Sequence, residues 1–152
     1  MFHPLDHPLE RGWVGRIDGE HVIQLAAQTL QSLFTGGGSA REHAVYPLGG
    51  VRLLAPVLHP PSVRVFEDQT TFAFANPAAI VGPGAVVVHP AQLSVRGRPA
   101  AVIGADGAVG GFTVLAEWCA DGVRAPKDRD FALGLGPAVV TPDEVMPPGF
   151  DW

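Results

Sequence analysis

Two arginines stand two residues apart, Arg96 and Arg98, in the stretch SVRGRPAAVIG of residues 94–104. Side chains two apart on a strand share one face, so both guanidiniums are expected to project together. At roughly 6–7 Å they would repel by about 2–3 kcal/mol at an effective dielectric of about 20. A carboxylate relieves that repulsion, and either Glu117 or the anion of a ligand could supply it. Guanidiniums stay protonated and only donate hydrogen bonds, so neither arginine can ligate a cation. Both can grip a carboxylate bidentately. If such a site were catalytic, Glu117, His59 or His89 would be the acid–base groups, provided burial tunes them toward neutral pH.

Other reactive side chains have plainer readings. His59 and His89 each precede a proline, which confines them to extended or turn backbone, so turn histidines are the simpler assignment. His3 and His7 are spaced i, i+4, as two metal ligands on one helix face would be. Pro4 and Pro8 forbid that helix, and a loose tail is expected instead. Cys119 closes an apolar run with Glu117 and Asp121 beside it, surroundings that would raise a thiol pKa and leave it buried and inert. The glycine-rich stretches GPG (82–84) and GADGAVGG (104–111) open no helix, so they are read as turns rather than phosphate cradles. No Ser-His-Asp or Cys-His arrangement follows from the spacing.

The elements that must position these groups are mostly strands. Residues 13–25 alternate apolar and polar around Asp18-Gly19, which predicts a hairpin with a type I′ turn. Ala27, Leu30, Leu33 and Phe34 recur at helical spacing before a glycine stop. Residues 39–50 read as a connector. Beyond them, VRLLAPV, two short strands on either side of residues 82–84, QLSVRGRPAAVIG and GGFTVLAEW all read as strands. Residues 138–141 supply a last strand, and the tail at 146–152 is neither helix nor central strand. Several strands are apolar at nearly every position, so both their faces need cover. The chain after them offers little, which predicts association with a second copy or another chain.

Composition narrows the class. Of 152 residues, 47% are hydrophobic and 16% charged, which fits a globular chain rather than a disordered one. A formal net charge of −5 and no basic cluster argue against nucleic acid or an anionic membrane as the partner. The single cysteine excludes an internal disulfide and a cysteine-built zinc site. With no secretory pattern and no run long enough to span a membrane, a cytoplasmic location is the default expectation.

From residue 53 to 144 the chain resembles the fumarylacetoacetate hydrolase family, in the branch that carries proline-proline-serine before the active-site loop. The matching pieces are LLAPVLHPPSVR, FAFANPAAIVGPGAVVVHP, AAVIG, GFTVLAEW and KDRDFALGLGPAVVTPDEV. The resemblance implies a mostly β chain: a mixed β-sandwich roll, here truncated, over residues 51–152. A small hairpin-plus-helix domain would lead it at residues 1–50. It implies hydrolysis, decarboxylation, hydration or isomerisation of diketo and related oxo acids, with a divalent metal, usually magnesium, on acidic side chains. The positions it assigns to that metal hold Val65, Arg96, Arg98 and Glu117 here, and the catalytic histidine's region offers only Gln69. A family lysine corresponds to Arg129.

Scaffold turns and strands match while the metal and proton positions differ. The resemblance therefore implies a degenerate, non-catalytic protein that binds an oxo acid or other anion through Arg96, Arg98 and Arg129, or that serves a partner. No cofactor is expected, and magnesium only if other acids rebuild the site. Association with itself or with a full-length relative is expected. The alternative is an active hydrolase, decarboxylase or isomerase with altered, metal-independent chemistry.

Overall fold

The structure, a computed structural model, describes residues 1–104 and 106–145. The expectation for the tail at 146–152 falls outside them. Among the described residues eleven strands form four sheets, accompanied by two short α-helices.

The leading part is a three-stranded antiparallel sheet of β2 (Gly15–Asp18), β3 (His21–Leu25) and β4 (Glu42–Pro47). The expected hairpin forms, but Asp18 pairs with His21, so Gly19 and Glu20 are the two loop residues. Only Gly19 has positive φ, at 54°, which is the demand of a II′ turn rather than I′. β4 lies in what reads as a connector. Its only sequence signal is a short alternation in which Ala44 and Tyr46 are half-buried between exposed neighbours. The helix α1 is brief, Leu30–Phe34. Thr29 accepts from the Ser32 amide while Ser32 Oγ accepts from the Thr29 amide, a reciprocal cap. Leu30 and Leu33 pack on Met1, Val14, Ile23 and Leu25.

The N-terminus is not a loose tail. β1 (Phe2–Pro4) pairs antiparallel with β5 (Val51–Leu53), joining residues on either side of position 50. Phe2 is 1% exposed, with its ring edge-on to Trp13 and Tyr46. His3 is buried, and its Nδ1 lies 2.8 Å from the Pro4 carbonyl oxygen. Burying these apolar residues outweighs the prolines, which bar a helix but not an edge strand.

The main sheet has the order β8 (Ile80–Val81), β11 (Leu133–Leu135), β10 (Val109–Ala120) and β9 (Leu93–Ile103). β9 and β10 form a long antiparallel pair at one side, and β11 meets β8 in parallel at the other. Over its inner face lies a hairpin of β6 (Val63–Phe66) and β7 (Phe72–Ala75), whose Val63, Val65 and Ala75 pack on Leu115 and Leu133. Two expected strands are displaced. Residues 85–88 are not a strand, and Val86 and Val88 are 86% and 85% exposed. The last sheet strand is β11, and residues 138–141 make only a bridge, Phe112 to Val140, before helix α2 (Pro142–Val145). Of the glycine-rich stretch, Gly110 and Gly111 are strand rather than turn. A Cβ on Gly110 would lie 2.5 Å from the Phe34 ring, and one on Gly111 would collide with Val139 and, at 2.6 Å, with the Val140 carbonyl. Their bareness seats α1 and the 138–141 segment against β10.

Candidate functional site

The antiparallel register of β9 and β10 sets Arg96 opposite Glu117 and Arg98 opposite Leu115. Both arginines therefore share the inner face, as their spacing predicts. Glu117 is 1% exposed. Arg98 Nε donates to its Oε2 at 3.2 Å, and Arg129 Nη1 stands 3.9 Å from its Oε1. The internal carboxylate is thus the partner that relieves the arginine pair. Arg98 Nη1 also donates to the Phe66 carbonyl at 3.0 Å, tying the sheet to the hairpin above it.

Two further acids complete the cluster. Glu67 begins the β6–β7 loop, and its carboxylate spans both guanidiniums, Oε2 at 3.6 Å from Arg98 Nη2 and Oε1 at 3.5 Å from Arg129 Nη1. That loop is a tight one. Asp68 Oδ1 accepts from the Thr70 and Thr71 amides, each at 2.7 Å, and these bonds hold its carboxyl below the usual carboxylate range. The Glu67 amide donates to the Thr71 carbonyl at 2.9 Å. On the other side Asp128 Oδ2 accepts from Arg129 Nη2 at 2.8 Å and Nε at 3.1 Å. Those bonds hold the Asp128 carboxyl low and Arg129 above its usual range, with smaller help to Asp128 from the charge of Arg96. The Asp128 Oδ1 atom is buried and has no hydrogen bond among the described residues. The loop holding Asp128 and Arg129 is itself pinned, since the Asp128 carbonyl accepts from the Ala120 amide at 2.7 Å.

Three guanidiniums thus face three carboxylates. Arg98 and Arg129 are engaged by them; the exposed Arg96 side chain has no ion pair or hydrogen bond among the described residues and acts on Asp128 only through its charge. Of the expected acid–base groups, Glu117 is inside this cluster and the two histidines make none of its contacts. His59 is exposed in a loop with φ of 51°. His89 stacks on Phe131 at 4.6 Å between centroids, and its Nδ1 accepts from the Ala91 amide. Gln69 sits exposed in the hairpin loop, and Cys119 is buried beside Glu117 on the same strand. Two surface clefts lie elsewhere. One is lined by His3, Glu10 and Arg52, the other by Trp13, Gln24 and His43.

The residues at the positions assigned to metal do not fit a divalent cation. Val65 is 4% exposed and belongs to the apolar core with Leu115 and Leu133. Arg96 and Arg98 offer only donors. Glu117, the one carboxylate, has both oxygens turned to guanidiniums. Among the described residues no group of three or more His, Cys, Asp or Glu is placed to hold a metal ion. Glu67 and Asp128 were beyond sequence reasoning because they reach the site from loops far along the chain. The only hint was the run of acidic and basic residues around position 129.

No protein-family model matches this sequence, and no curated protein matches it. Solved structures do. Maleylpyruvate hydrolase from Sphingobium sp. SYK-6, in complex with manganese(II) ion and pyruvate, superposes with a TM-score of 0.71 at 21% identity. The match covers 91% of this chain and 67% of that one. A 2-keto-3-deoxy-D-arabinonate dehydratase complexed with magnesium and 2,5-dioxopentanoate gives a TM-score of 0.68 at 18% identity, over 92% of this chain and 66% of that one. Both are fumarylacetoacetate hydrolase-family enzymes, so the fold implied by the sequence resemblance is the fold observed. This chain spans about two thirds of their length. No helix among the described residues is long and apolar enough to cross a membrane.

Proposed function

We propose that this chain, built on the fumarylacetoacetate hydrolase fold, is a non-catalytic protein that binds a small oxo acid or related carboxylate without a divalent cation. One observation carries the reading: Glu117, buried where the resemblance assigns a metal ligand, already has a guanidinium against each oxygen. Positive charge at this position comes from arginine, and arginine recognises carboxylates directly through paired N–H donors. The Arg96 side chain makes no hydrogen bond or close ion pair among the described residues and is the guanidinium open to a ligand. The ligand class is supported by the neighbours, one solved with pyruvate and the other with 2,5-dioxopentanoate.

Titration calorimetry with oxalate, in the presence and absence of magnesium or manganese, tests this. Oxalate binding is expected to need no metal. Binding only in the presence of metal, or turnover of an acylpyruvate that a chelator abolishes, would overturn it.

A second reading, that the chain serves a partner, is favoured by the outer face of the main sheet. Val95, Ile103 and Val114 on that face are 53%, 52% and 56% exposed. A homo-oligomer, or a pair with a longer chain of the same fold, would cover them.

A further inference from the structure

The anion site proposed above contains an anion of the protein's own. Glu67 is 46% exposed at the mouth of the cluster, whereas Arg98 and Arg129 are 25% and 29% exposed and Glu117 lies beneath them at 2% by side chain. One carboxylate oxygen faces each guanidinium, which is how a ligand carboxylate would bridge the two. Its contacts are long, at 3.6 and 3.5 Å against 3.2 Å for Arg98 to Glu117 and 2.8 Å for Arg129 to Asp128, and only Arg129 to Glu117, at 3.9 Å, is longer. Long, solvent-screened ion pairs contribute little, so this carboxylate can be replaced at small cost.

The backbone beneath it does not need to move. Asp68 and the Glu67 amide lock the hairpin tip, and Phe66 holds Arg98 through its carbonyl. Only the Glu67 side chain has to rotate away. With it gone, three guanidiniums would face two carboxylates, and the site would carry net positive charge.

We infer that Glu67 is a built-in carboxylate plug: it occupies the subsite between Arg98 and Arg129, and a small ligand carboxylate binds there by displacing it. Arg96, two residues along β9 on the same face, would then meet the ligand's second oxygen-bearing group, which favours 2-oxo acids and dicarboxylates over simple monocarboxylates. This rests on the anion-binding reading above, deepening it into a competition between side chain and ligand.

The test compares oxalate titrations of the unaltered chain, E67Q and E67D at low salt. Glu67→Gln removes the charge; Glu67→Asp keeps it on a stem too short to span both guanidiniums. Both variants are expected to bind oxalate about threefold more tightly, equivalent to about 0.7 kcal/mol. Because Glu67 is at an exposed tip, both should melt as the unaltered chain does. Oxalate binding to the unaltered chain with equal or weaker binding to both variants would overturn the plug and leave the anion site standing. An absence of binding to all three would overturn the anion site and the plug together.

Discussion

Glu117 governs the charges around it because it is the one with least access to water. Removing Arg98 would leave that carboxylate in the interior with only Arg129, at 3.9 Å, so Arg98→Ala should destabilise the fold by about 3 kcal/mol. Denaturant titration would show the loss, and pairing it with Glu117→Leu should recover much of it, since a buried ion pair is often replaceable by apolar residues. Arg96 makes no such contact, so Arg96→Gln should leave the melting temperature in place while weakening oxalate binding. An unchanged affinity there would remove Arg96 from the site. Burial also acts at the chain's first residue, where it lowers the Met1 ammonium from 8.0 to about 6. The unfolded chain then holds that proton more tightly than the folded one. Stability should be full above pH 8, fall as pH drops toward 6, and level off below, a total of about 2–3 kcal/mol. Melting curves from pH 5 to 9 on free and Nα-acetylated protein would check it, because acetylation removes the step. The arginine pair was legible at this scale because a strand's period of two is simple. Glu67 and Asp128 were not, since no local pattern says which loop side chains will meet after folding.

At the scale of elements, strand identity followed the length of the apolar run. The β9–β10 pair was plain in the sequence, while β4, with its half-buried alternation, passed for a connector. β11 was missed for a different reason. Its Leu-Gly-Leu-Gly-Pro setting has the composition of a turn, yet Leu133 is fully buried and pairs with both β10 and β8. Glycines within strands also mislead, because their use lies in what approaches them. This gives a paired prediction. Gly111→Ala must push against Val139 and the Val140 carbonyl and should cost about 1–3 kcal/mol. Gly97→Ala in β9 meets nothing within 4 Å and should be neutral or stabilising by up to about 1 kcal/mol. Thermal melts of the two variants should diverge in sign or at least clearly in size.

Across the whole molecule, one face of the main sheet is covered by the β6–β7 hairpin and the other presents valine and isoleucine to solvent. The mostly β fold was legible because its turns and apolar runs follow the family's order. The ligand and the partner were not, because they depend on surfaces rather than periodicity. If that outer face is an interface, sedimentation should show concentration-dependent association, and Val114→Asp should leave a single monomeric species by placing a charge at its centre. Association untouched by that change would move the contact elsewhere. A separate consequence lies at the side of the same sheet. Among the described residues β9 bonds to β10 alone, so its eleven residues form an edge of the sheet. Such a rim is a template for runaway stacking of misfolded chains, and proline and basic residues are what commonly blunt it. Pro99, Arg96 and Arg98 all belong to that strand. The arginines proposed above for ligand recognition would therefore double as gatekeepers of solubility, and a variant stripped of both would first reveal itself as precipitate.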